Sequence, residues 1–204
     1  MPQRVLFIYF VISLLCIVLH GSRHSSHTSS NKDDLQTKFH PRAVTSFTTA
    51  QRQVQKQMLK DHNALRLLHC APELKLDDEL NRLAQDYANT LAKTNKYEHS
   101  DLYHLGENLF RMRSSSSISD LNGAAKQASK GWYDENSLYN FDKAEFSDDT
   151  GHLTQLLWKE SERLGVGYAL GKLGSEYTMY IVALYDPPGN TDELFRENVL
   201  STAC

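Results

Sequence analysis

Leu80, Leu83, Ala84, Tyr87, Ala88 and Leu91 fall three and four residues apart, the spacing that lines up one face of an α-helix. Asp77 stands where an N-cap is needed, and Asp78 and Glu79 occupy the first turn, where the helix dipole favours carboxylates. Upstream, Val54, Met58, Leu65 and Leu68 form a second helical stripe running to Cys70. Thr48 and Gln51 open it as a capping box and Pro72 closes it. A third helix is predicted from Ser119 or Asp120, with Leu121, Ala125, Ala128 and Trp132 on one side and Glu135 in its last turns. Leu153, Leu156 and Leu157 give a short helix with His152 exposed in its first turn. Residues 106–113 carry Glu107 ahead of what reads as a strand. Residues 168–170 and 177–185 read as two antiparallel strands joined by a turn at 171–175. Gly165 and Gly167 flank Val166 at a strand start, the mark of a close backbone approach. The run 177–185 is apolar or aromatic at nearly every position, so it is expected to be covered on both faces. Periodicity alone predicts an α+β fold.

The ends of the chain add a second layer. Arg4 precedes an uncharged apolar run from Val5 to Leu19, which is short for a membrane span and has the layout of a secretory signal peptide over residues 1–22. Cleavage after Gly21 or Ser22 would release the chain. Retention as a signal anchor is the alternative, and it would associate the domain with a membrane. Residues 23–46 are rich in Ser, Thr and His and too poor in large apolar groups to order themselves. His24, His27 and His40 are scattered there as solvated side chains. Residues 47–204 are then one domain of ordinary size. A net charge of −3 without a Lys/Arg-rich block gives no footprint for nucleic acid. Of three cysteines, Cys16 lies in the leader, leaving Cys70 and Cys204. These two could pair in an oxidising compartment or remain thiols, and a free Cys204 could link two chains as a homodimer. No Asn-x-Ser/Thr sequon is present.

Two motifs carry a family likeness. Gly151, His152, Leu153, Thr154, Gln155, Leu156, Leu157, Trp158, Lys159, Glu160 and Ser161 run in the order of one signature, with Leu153 replacing its usual aromatic residue. Tyr185, Asp186, Pro187, Pro188, Gly189 and Asn190 match a second, with Ala183 where the disulfide-rich secreted members keep a cysteine. His62, Asn63 and Arg66, the step at His99 and Ser100, residues 106–109, and Trp132 to Glu135 extend the match. The chain resembles the CAP superfamily of cysteine-rich secretory, antigen 5 and pathogenesis-related proteins (the SCP domain). It looks most like the compact Golgi-associated plant pathogenesis-related type.

The resemblance implies a three-layer α-β-α sandwich around a central antiparallel sheet. It also implies a cleft tetrad of His99, Glu107, Glu135 and His152, which sequence spacing alone could not assemble. Two imidazoles suit a borderline ion such as Zn²⁺, so His99 and His152 are the candidate metal ligands. Two nitrogens are fewer than catalytic zinc sites use, and the binding expected is weak. A purely structural His–Glu network stays open beside it. No residue is assigned as catalytic, because Ser100, Thr154 and Ser161 are hydroxyls near a His only in sequence and no GxSxG elbow occurs. The leading expectation is a secreted, non-enzymatic protein binding a lipid, a sterol or a protein partner. A metal-dependent hydrolase and a self-associating scaffold are the alternatives.

Overall fold

The computed structural model describes residues 46–202. The described residues fall within one compact unit. The leader, nearly all of the Ser/His-rich tail and Cys204 lie outside them. No helix among the described residues is long and apolar enough to cross a membrane.

Helix α1 (Thr49–Leu68) opens on the predicted capping box. Gln51 N donates to Thr48 Oγ1 at 3.1 Å and Thr48 N donates to Gln51 Oε1 at 2.8 Å. Its buried face carries Val54, Gln55, Met58, His62 and Arg66, whereas Leu65 is only partly covered and Leu68 is half exposed. The predicted stripe fails in the second half for a physical reason. That half faces main-chain carbonyls, so hydrogen-bonding side chains take the buried positions. The buried Arg66 guanidinium donates to the carbonyls of Pro72, Leu156, Trp158 and Ser161 at 2.8–3.0 Å. Cys70 follows with φ of 53° and is disulfide-bonded.

Helix α2 (Asp78–Thr94) is capped by Asp77, whose Oδ1 accepts from Glu79 N and Leu80 N at 2.9 and 3.0 Å. Asn95, at φ 55°, ends it. Helix α3 (Leu121–Asp134) stops one residue short of Glu135, which instead opens a 3-10 turn, Glu135–Ser137. Helix α4 (Gly151–Leu157) carries His152, and a short α5 (Phe195–Asn198), not anticipated from the sequence, follows near the end.

Strands β1 (Lys75–Leu76), β2 (Gly106–Ser114), β3 (Arg163–Leu173) and β4 (Glu176–Asp186) form one sheet in the order β1-β3-β4-β2. All pairings are antiparallel except that of the two-residue edge strand β1 with β3. Gly171 pairs with Thr178 inside the ladder. The β3–β4 turn is therefore only Gly174 and Ser175, tighter than the predicted 171–175, with Gly174 at φ 62°.

Residues along β4 alternate between two cores. Met179, Ile181, Ala183 and Tyr185 pack with α1, α3 and α4, while Tyr180, Val182 and Leu184 pack with α2. This makes the three layers. Beyond Leu164, the outer edge of β3 is paired by side-chain amides instead of a strand. Val166 N donates to Asn81 Oδ1 at 2.7 Å, Gln55 Nε2 donates to Val166 O at 3.3 Å, and Gln85 Nε2 donates to Tyr168 O at 2.6 Å. Such covering leaves no open template for another strand there.

Candidate functional site

Glu107 is the second residue of β2, and its position there aims a carboxylate at the loop that follows α2. Its Oε1 accepts from the Nδ1–H of His99 at 2.7 Å and from Ser100 N at 3.0 Å. Glu135, just past the end of α3, repeats the device on α4. Its Oε1 accepts from His152 Nδ1–H at 2.6 Å and its Oε2 from Leu153 N at 2.9 Å. Each carboxylate thus holds an imidazole and the next backbone N–H, fixing both ring and chain. The four candidate residues stand as two His–Glu pairs, of which His99, Glu107 and His152 line one cleft. The pairs differ in one respect. Both Glu135 oxygens are engaged, whereas Glu107 Oε2 is buried without a hydrogen-bond partner on a side chain only 8% exposed. The Glu107 bond raises the His99 imidazole above its ordinary value, against partial desolvation of the ring.

A polar relay lies beneath His152. Asn108 Nδ2 donates to His152 O at 3.0 Å and to the Tyr185 hydroxyl at 3.2 Å. The Tyr185 O–H donates to His62 Nε2 at 2.8 Å, while His62 Nδ1–H donates to Met58 O at 2.8 Å. Full burial pushes His62 down to about 4 and Tyr185 well up. His152 also stacks on Trp132, with centroids 6.3 Å apart and planes 14° apart. His62, Asn63 and Arg66 bind helix α1 to its neighbours.

The cleft itself is about 180 Å³ and is lined by His99, Glu107, Asn108, Phe146, Asp148, Gly151, His152 and Asn190. Glu135 stands behind His152. Phe146 and Asp148 are wall residues that the sequence does not mark, because they sit in an aperiodic segment without a motif. Asn108 and Asn190 were visible only as members of motifs. Asn190 ties the wall together at φ 58°, donating to Gly151 O at 2.9 Å and accepting from Thr154 Oγ1 at 2.6 Å. The hydroxyls near His152 in sequence are engaged elsewhere. Thr154 Oγ1 is held by Asn190, and Ser161 Oγ donates to Pro187 O at 2.8 Å, both side chains buried.

Comparison with known proteins bears on this arrangement. The profile of the cysteine-rich secretory protein family, CAP, matches residues 59–185. Golgi-associated plant pathogenesis-related protein 1 of Homo sapiens is 37% identical over 157 residues, 74% of this chain and 96% of that protein. The chain belongs to the CAP family. Among solved structures, BmVAL-1 superposes with a TM-score of 0.62 at 24% identity, over 78% of this chain and 86% of that one. The crystal structure of NaASP2 with Zn²⁺ gives a TM-score of 0.51 at 27% identity, over 68% and 82%. The mixed α+β architecture and four-stranded sheet of this CAP domain agree with those structures.

Within the CAP cleft, the rings of His99 and His152 are the candidate nitrogen donors for a metal. Among the described residues no group of three or more His, Cys, Asp or Glu side chains is gathered to hold a metal ion. Nevertheless, the donor chemistry at His99 and His152 fits a divalent ion. With Nδ1–H given to a carboxylate, each neutral ring keeps its Nε2 lone pair, the orientation that outer carboxylates impose on zinc-binding imidazoles. Glu107 Oε2 would compensate positive charge beside them.

Proposed function

We propose that this CAP domain is a secreted, non-enzymatic binding module whose His99, Glu107, Glu135 and His152 cleft recognises a protein partner and takes a divalent ion of the Zn²⁺ class on His99 and His152. The observation that carries this reading is the repeated anchoring of an imidazole Nδ1–H by a carboxylate at 2.7 and 2.6 Å on two walls of one cleft. The relative NaASP2, crystallised with Zn²⁺, supports it. When bound, the ion would supply an electrophilic point for a partner's carboxylate or carbonyl. The chain's part is to present oriented rings. A polar cleft of about 180 Å³ is smaller than the roughly 300–1,000 Å³ of ordinary small-molecule pockets, which favours a group projecting from a protein over a whole sterol.

Calorimetric titration of the purified domain with Zn²⁺, beside His99→Ala and His152→Ala, tests the reading. We expect 1:1 binding, weakened at least about tenfold in both variants. Unchanged binding in both would refute the metal site. Hydrolysis of peptides or esters, abolished by Glu107→Ala, would make the protein an enzyme instead.

A further inference from the structure

Outside its two imidazoles, the cleft has a consistent character. Glu107 and Asp148 contribute carboxylates, Phe146 contributes a half-exposed ring, and no Lys or Arg is among the lining residues. Glu107 Oε2 is buried and unpartnered on a side chain more than nine-tenths covered. A buried carboxylate oxygen without a donor costs free energy that a ligand can recover. A wall of acceptors beside an aromatic face calls for a flat, donor-rich cation.

We propose that the metal-free cleft binds a guanidinium group, with Glu107 and Asp148 accepting its N–H groups and the Phe146 ring against its face. The inference rests on this cleft being the recognition surface, as the function above has it, and names the group recognised. Guanidinium and Zn²⁺ are then alternative occupants of the same cleft. Zinc supply would gate partner binding.

The test uses the domain freed of metal with a chelator. Agmatine, a free guanidine, and an acetylated, amidated Gly-Arg-Gly peptide are titrated by NMR, with the acetylated, amidated Gly-citrulline-Gly peptide as the neutral isostere. We expect saturable shifts at residues 99–108 and 146–152 with both cationic probes, and none with the isostere at the same concentrations. Whichever cationic probe binds more tightly identifies the source, a free guanidine or an arginine side chain. Phe146→Ala is expected to weaken binding roughly two- to fivefold, and Asp148→Asn at least as much, with the unfolding transition unchanged in Asp148→Asn because that position is exposed. Zinc is expected to displace agmatine. Equal binding of the isostere, unaffected binding in both variants, or simultaneous uncompetitive binding with zinc would overturn the proposal. Zinc binding with no response to agmatine overturns this inference alone. Agmatine binding without zinc binding keeps it and removes the metal from the function proposed above.

Discussion

His62 shows how much of this domain depends on single polar side chains placed inside it. The ring is wholly buried, neutral, and hydrogen-bonded on both nitrogens. Desolvation holds its folded value at about 4 against 6.5 in the unfolded chain. Between these values the unfolded state binds the extra proton, so the stability is complete above about pH 6.5 and declines as pH falls toward 4. The decline amounts to about 2–3 kcal/mol at pH 4.5. His69, also lowered mainly by desolvation, adds in the same direction. Urea denaturation at pH 7.5 and 4.5 measures it, and His62→Gln should flatten the dependence relative to the parent chain. If the parent and the variant lost the same stability on acidification, His62 would not be its source. Residues of this kind were legible only as motif letters. Nothing local at His62 announces Tyr185, 123 positions away.

Elements whose order is decided locally were legible. The capping box at Thr48, the Asp77 cap and the α2 stripe need only neighbours a few residues away, and each forms as its sequence predicts. Gly165 and Gly167 also kept their expected meaning. A Cβ at Gly165 would sit 2.3 Å from the backbone carbon of Leu80, and one at Gly167 would sit 2.2 Å from Gln85 N. These contacts are with main chain, which cannot rotate aside, so α2 can lie on β3 only where β3 has no side chains. Gly167→Ala is expected to cost about 3 kcal/mol by forcing the helix off the strand. Gly131, exposed in α3 with no atom within 4 Å of an added Cβ, is the contrasting case. Gly131→Ala should stabilise by about 0.5–1 kcal/mol. Thermal unfolding of the two variants should move in opposite directions. The tetrad, by contrast, draws one residue each from a loop, a strand, a helix exit and a helix entry. No periodicity joins such places, and only the family resemblance brought them together beforehand.

At the scale of the molecule, the sheet and its two helical layers are shared with CAP relatives, while the wall formed by Phe146 and Asp148 belongs to an irregular segment that neither pattern nor motif anticipated. The two jaws of the cleft are also mounted differently. His152 is fastened to the central strand through Asn108 and Tyr185 and lies against Trp132. His99 is 65% exposed on a loop and held by Glu107. One jaw is therefore an anvil and the other a latch. In native-state hydrogen exchange, the amides of residues 153–157 should open only with global unfolding, and those of residues 99–105 at much lower free energy. An occupant of the cleft should then slow exchange in the loop while leaving the α4 amides as they were, so that recognition is recorded on one side of the site only.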